Sequence, residues 1–324
     1  MTVGLEDLNF FGGARRLDVK STFSGFLTQP AKYQTTRLEG DLIQPYLFGT
    51  RWDARANLSE EWRKREAYDS DATTLRTSLD RRLNSLLWLS LRYRFSGTRL
   101  KRASAEAQTA GFTNVSAAGP SLRYDTTDDP FLPRNGWRLI GSFEEGLEFG
   151  PGDVGFHKYE GRAGRFDTVG GWTFFEGAQG GLIQPRSGKS DDIIPIYERY
   201  FLGGANSVRG YPERQLGPKD VDGKPLGGTS FMVGNFEIRR RIYKALFSVV
   251  FLDAGQLFTS APANPDSRAR LKGIDDLAYG AGGGLRLHSP IGAIRLELGY
   301  QLRPQGGTKF RDRTAVHFSV GEVF

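Results

Sequence analysis

The three histidines are the first candidates for acid–base or metal chemistry, and their positions argue against both. His157, His288 and His317 fall on separate predicted strands, with no serine and acid grouped beside them and no metal-ligand spacing. The chain has no cysteine, so a thiolate nucleophile, a thiolate metal site and a disulfide framework are excluded. The run Gly280-Ala281-Gly282-Gly283-Gly284 does not open a helix inside a βαβ unit, as a dinucleotide loop must. Glycines facing inward there would instead make room for a packed segment. Asp220-Val221-Asp222-Gly223 begins like a calcium loop but lacks the later glutamate. No catalytic site and no cofactor are expected. What remains is a long connection, Pro185–Gly228, containing Tyr197-Glu198-Arg199-Tyr200-Phe201-Leu202-Gly203-Gly204-Ala205-Asn206-Ser207-Val208-Arg209-Gly210-Tyr211. Connections beyond about 15 residues are normally functional or disordered, and the tyrosines, phenylalanine, leucine and valine give this one surface to pack.

The elements that would position such a segment are strands. From Ile294 to Arg303, Ile294, Leu296, Leu298, Tyr300 and Leu302 share one face, and Arg295, Glu297, Gly299, Gln301 and Arg303 share the other. Leu87 to Ser96 repeats the alternation, and Leu17, Val19 and Phe23 oppose Arg16, Asp18, Lys20 and Thr22. A period of two is the signature of a strand with two unlike faces. Periodicity alone leaves two readings open, a soluble sandwich with its charges in water and a membrane barrel with its apolar face in lipid. Long runs such as Gly136–Phe149 and Arg51–Lys64 exceed globular strands and favour the barrel. So does the alternation of tight turns (Asn9–Gly13, Gln44–Gly49, Asp129–Gly136) with long loops (Thr98–Ala117, Pro185–Gly228, Thr259–Asp276). Aromatics at turns and strand ends, among them Phe10, Phe11, Tyr46, Phe48, Phe131 and Trp137, suit an interfacial girdle.

Fifteen strands are read, at 2–8, 14–25, 35–43, 51–64, 73–81, 87–97, 118–125, 136–149, 155–168, 172–184, 229–241, 245–258, 277–288, 292–303 and 314–324. Bacterial single-chain barrels have even strand numbers, so a further strand is expected before Met1, together with an export signal. Composition agrees. The 324 residues show no shift that would divide them into domains. Mean hydropathy is negative, and no run approaches the roughly 20 apolar residues of a membrane helix. The net charge of +7 raises the possibility of nucleic-acid binding. Lys and Arg are nevertheless scattered in alternation rather than gathered in a stripe, so no nucleic acid is expected as partner.

Several of these residues resemble a known family. Val208-Arg209-Gly210-Tyr211 resembles the Val-Arg-Gly-Phe/Tyr signature of loop 6 in the outer-membrane protein assembly factors, the BamA/TamA-like barrels. Phe251-Leu252-Asp253-Ala254-Gly255 is similar to that family's Phe-x-Asp-x-Gly strand motif, and Glu237, within Asn235-Phe236-Glu237-Ile238-Arg239, matches its acidic position one strand earlier. Ser121–Asp125 with Asn135-Gly136-Trp137, and Ser289-Pro290-Ile291-Gly292, are also family-like. At the chain's end Val316, Phe318, Val320, Glu322 and Phe324 alternate with His317, Ser319, Gly321 and Val323. There Phe318, Val320 and Phe324 resemble the C-terminal β-signal of outer-membrane proteins.

The resemblance covers the whole chain and implies an all-β fold, an antiparallel transmembrane β-barrel forming one domain over 1–324. Loop 6, about 185–228, would fold into the lumen, and the family's periplasmic POTRA domains would lie upstream. It implies that Arg209 meets the lumen-wall residues Glu237 and Asp253 beside Gly255, in planar charge-assisted contacts that lysine cannot reproduce. The plain alternative is a turn whose arginine sits in solvent, where such pairs contribute little. The implied function is insertion of outer-membrane β-barrel proteins or autotransporters through a lateral seam in the bacterial outer membrane. The implied partners are unfolded outer-membrane protein clients, the lipid bilayer, and periplasmic or inner-membrane accessory proteins. A two-partner-type secretion pore and a passive porin share much of this pattern.

Overall fold

The alternating runs form fifteen strands in the computed structural model, which describes residues 2–25, 33–103, 111–148, 151–186, 191–259, 277–289, 292–304 and 310–320. They are β1 (Thr2–Asp7), β2 (Arg16–Gly25), β3 (Gln34–Gln44), β4 (Asp53–Lys64), β5 (Tyr68–Arg82), β6 (Leu87–Ala103), β7 (Gly111–Asp125) and β8 (Gly136–Leu147). Then follow β9 (Phe156–Val169), β10 (Trp172–Pro185), β11 (Ser230–Tyr243), β12 (Leu246–Phe258), β13 (Ala278–Ser289), β14 (Gly292–Gln301) and β15 (Thr314–Val320). Each strand pairs with its neighbours in chain order, from β1 at one end of the order to β15 at the other.

Burial is inverted relative to a water-soluble sheet. On β14, Arg295 and Glu297 are buried at 2% and 1% exposure, while Leu296 and Leu298 between and beside them are 53% and 49% exposed. On β11 and β12, Asn235, Glu237, Arg239 and Asp253 are buried, and Met232, Phe236, Val250 and Leu252 are exposed. Exposed apolar rows of this extent need a non-aqueous neighbour, and strands with apolar faces turned outward and polar faces inward belong to a transmembrane β-barrel. The inverted burial decides between the two readings that periodicity left open.

The chain divides into two compact units. The first comprises 1–123, 142–159 and 183–196. Its polar face is laced with ion pairs and hydrogen bonds, including Arg37 to Glu39 at 3.3 Å and Asn57 to Asp41 at 2.8 Å. Here the structure corrects one expectation. The segment Thr98–Ala117, read as a long loop, is largely strand: β6 continues to Ala103, β7 begins at Gly111, and β5 begins at Tyr68 rather than 73. The charge-rich run reads as loop by hydropathy. In a sheet with one polar face, however, cross-strand charges are what a strand end carries. Arg102 donates to Asp69 at 2.9 Å, Lys101 pairs with Asp71, and Thr98 and Leu100 are buried.

The second unit comprises 124–141, 160–182 and 197–324. It holds β11–β15 and the part of the long connection from Tyr197 onward. On β15, Val316 and Phe318 are exposed and His317 between them is buried. Val320 closes that strand. Phe324, and most of the expected loop Thr259–Asp276, lie outside the described residues.

Candidate functional site

From Tyr200 to Gly228 the long connection between β10 and β11 is an ordered hairpin rather than an open loop. Tyr200 and Gly228 exchange two backbone hydrogen bonds of 2.9 Å, and the Leu216 N–H donates to the Leu202 carbonyl at 3.0 Å. Near the tip, the Gly204 N–H donates to the Tyr211 carbonyl at 3.0 Å and the Gly203 N–H to the Ser207 hydroxyl at 2.8 Å. The hairpin's apolar residues Leu202, Val208, Tyr211 and Leu216 pack with Val233, Leu257 and Ala278 of the sheet. Tyr200 and Phe231 pack alongside with tilted rings whose centroids are 4.7 Å apart. This packing holds the tip, Val208–Tyr211, against the polar face of β11–β15.

Arg209 is 1% exposed and uses all of its groups. Asp253 on β12 accepts from the Arg209 backbone N–H at 2.9 Å, from Nε at 2.7 Å and from Nη2 at 2.7 Å. Nη1 donates to Glu237 on β11 at 2.7 Å and to Glu297 on β14 at 3.1 Å. The guanidinium lies 3.5 Å from the ring centre of Phe251, the residue directly across from Glu237 in the sheet. Two further arginines close the network. Arg239 donates to Glu237 at 2.8 Å, and Arg286 on β13 bridges Glu237 at 2.7 Å and Glu297 at 2.9 Å. Three guanidinium groups therefore face three carboxylates, and this cluster buries no net charge. That balance matters because an unpaired buried ion costs several kcal/mol. Burial works against the charge on Arg209, but the Asp253 hydrogen bond and the neighbouring carboxylates outweigh it and raise its pKa.

The neighbouring tip residues are held by their backbones and rings. The Gly210 N–H donates to His317 Nε2 on β15 at 3.0 Å, and Gln301 on β14 donates to the Gly210 carbonyl at 2.9 Å. Gly210 has φ +95°, a region that disfavours any side chain, and a Cβ there would lie 2.9 Å from the backbone carbon of Tyr300. The Tyr211 hydroxyl donates to the Arg303 carbonyl, and burial pushes that hydroxyl up to about 12. The wall makes room with glycines. A Cβ on Gly255 would stand 2.7 Å from Val208, one on Gly280 would collide with the Arg209 carbonyl, and one on Gly299 with the Gly210 nitrogen.

The structure thus brings Val208, Arg209, Gly210, Tyr211, Glu237, Asp253 and Gly255 into one site. The exposed Phe318 is not part of it. Sequence reasoning missed Glu297, Arg239, Arg286, Gln301 and His317 as members. The alternation of Ile294–Arg303 had put Glu297 and Gln301 on the polar face, but nothing along the chain singles out which polar-face residues a distant loop will meet. Among the described residues, no group of three or more His, Asp or Glu side chains is arranged to hold a metal ion.

Three comparisons bear on what this site belongs to. The family model for the Omp85 superfamily domain matches residues 9–324. The chain is 30% identical over 188 residues to chloroplastic outer envelope protein 80 of Oryza sativa subsp. japonica, covering 58% of this chain and 25% of that protein. It is 29% identical over 208 residues to the outer membrane protein assembly factor BamA of Nitratidesulfovibrio vulgaris, covering 62% and 24%. The chain spans about a quarter of the length of these curated relatives. Among solved structures, BamA from Haemophilus ducreyi lacking POTRA domains 1-3 superposes with a TM-score of 0.77 at 15% identity, over 98% of this chain and 65% of that one. That likeness shows the fold, an antiparallel outer-membrane β-barrel.

Proposed function

The chain belongs to the Omp85 superfamily, and from that premise we propose that it serves the insertion of β-barrel proteins into the bacterial outer membrane. A relative with matching sequence is named an outer membrane protein assembly factor, and the work proposed here is physical. An incoming chain adds a strand to an exposed sheet edge, satisfying backbone groups that each cost several kcal/mol if left unpaired in hydrocarbon. We assign this role to the edge at β15, where the strand order of the described residues ends. Unfolded outer-membrane proteins are the substrates, the bilayer is the solvent, and accessory proteins of the periplasm or inner membrane would act through segments outside this barrel domain.

The observation that carries the reading is the pinned loop. A hairpin whose arginine is fully buried and shared among Asp253, Glu237 and Glu297 is far more than a turn in solvent requires. It sits on strands that fall within the family match. In this reading the hairpin braces the wall beside the working edge. The test is complementation by the full-length protein carrying Arg209→Ala in cells depleted of the wild type. The variant should reach the membrane as a folded, heat-modifiable barrel yet lose most of its capacity to support client assembly. Full activity would refute the assignment and favour a passive pore, for which the brace is irrelevant.

A further inference from the structure

The contacts of the loop tip are unequal in kind. Toward β11, β12 and β13 the tip is held by charge and by close packing of Val208 and Arg209 on glycines. Toward β14 it is held by Glu297, by Gln301 and by the backbone contact at Gly299 and Tyr300. Toward β15 the described residues show one hydrogen bond, from the Gly210 N–H to His317 Nε2 at 3.0 Å, and its acceptor is 8% exposed. His317 stands directly across from Glu297 in the β14–β15 register, so the residue that holds the tip's peptide is the cross-strand neighbour of one that holds its guanidinium.

We propose that His317 is the residue through which the C-terminal strand and the loop tip sense each other. Displacement of β15 removes the acceptor from Gly210, and departure of the tip takes the donor from His317. The proposal rests on the assembly reading for its purpose, since a displaced β15 is what edge exchange with a client would produce. The bond itself does not depend on that reading. It sets a chemical requirement. An acceptor Nε2 must be unprotonated, so the ring is neutral with its proton on Nδ1. The charged groups facing this position are Glu297 and Arg295 from β14 and Arg209 from the loop. The backbone N–H of Gly210 cannot turn to another partner without moving the tip, because Gln301 holds the carbonyl of the next peptide and the β14 backbone at Gly299 and Tyr300 packs against Gly210. His317 is therefore a positioning residue that acts through Gly210.

The experiment uses the full-length protein in membranes with Ser207→Cys as a buried reporter beside the tip, the barrel chain itself having no cysteine. Maleimide labelling of the introduced thiol without any client reads how often the tip leaves its seat. Removing the acceptor in His317→Leu should speed labelling about tenfold, the scale expected for one orphaned buried donor. His317→Gln, which restores an acceptor oxygen, should recover most of the protection. Equal labelling rates in wild type and His317→Leu, or a Gln variant as fast as the Leu variant, overturns the proposal. Should His317→Leu fail to fold, the wild-type protein decides the matter through ¹⁵N-histidine NMR, with His157 and His288 assigned by substitution. Protonated Nδ1 with bare Nε2 supports the bond, and the opposite tautomer overturns it. Because labelling needs no client, a failure here is distinct from a failure of Arg209→Ala to impair assembly.

Discussion

The two units carry the same residue chemistry on their polar faces and use it differently. In the first, Arg37 lies 3.3 Å from Glu39 and Arg55 3.1 Å from Asp80, with side chains between 20% and 57% exposed. In the second, Arg209 meets Glu237 and Asp253 at 2.7 Å, and all three side chains are at most 2% exposed. Period-two alternation of charged and apolar residues produces both faces. What separates them is the hairpin laid over the second, which excludes water and lowers the local dielectric. There, attraction between partners strengthens and so does the penalty for losing one. Wet charges make a surface, and the same charges under a cover make a lock. Burial by a distant segment, not local sequence, converts an ordinary polar face into a specific site.

That contrast can be broken from either side. The largest effect is expected from Asp253→Ala, which strands the Arg209 backbone N–H and the Nε and Nη2 donors of its guanidinium, and takes one of two acceptors from the Asn235 amide. Loss of one partner of a buried pair costs about 3–5 kcal/mol. Protease sensitivity of the hairpin in otherwise folded barrels should rise by two orders of magnitude or more. A barrel with a hairpin as resistant as wild type would show that the cover, rather than the charges, does the holding. Gly280→Ala is the next step down. It leaves every charge in place and thrusts a methyl group into the Arg209 carbonyl. Overpacking of this kind costs about 1–3 kcal/mol, so hairpin protection should fall by roughly ten- to a hundredfold, and unchanged protection would mean that the wall yields easily. The smallest effect is expected from Arg55→Ala, whose exposed pair with Asp80 should contribute under about 1 kcal/mol. Its urea unfolding midpoint should stay close to wild type. A loss of stability of about 3–5 kcal/mol, the size expected for a buried partner, would erase the distinction between the units.

The fold was legible because the strands alternate strictly. The edges of β8, β10, β12 and β14 fall within a few residues of the sequence reading. The misreading at β6 and β7 has a physical source, since hydropathy treats Lys101 and Arg102 as loop residues while a charged strand end pairs them across the sheet. The site was legible only in part. Arg209, Glu237, Asp253 and Gly255 could be grouped through resemblance to a family, and the structure adds Glu297, Arg286 and His317. These sit 88, 77 and 108 residues downstream of Arg209 in the chain. Their face could be read from alternation, but their depth along the strand relative to the hairpin tip depends on register across four sheet neighbours. His317 illustrates the limit: an isolated histidine by sequence is a contact residue once β15 is paired with β14.

The spacing of the Arg209 contacts also sets an order of events. Its partners lie 28, 44 and 88 residues away along the chain, and the last of them is delivered by a strand that follows the hairpin. An arginine made early must wait for carboxylates made late, and closure of so long a loop is slow compared with pairing neighbouring strands. The guanidinium cannot complete its set of contacts until β14 is in place. Once made, it marks a molecule whose strands through β14 are already in register.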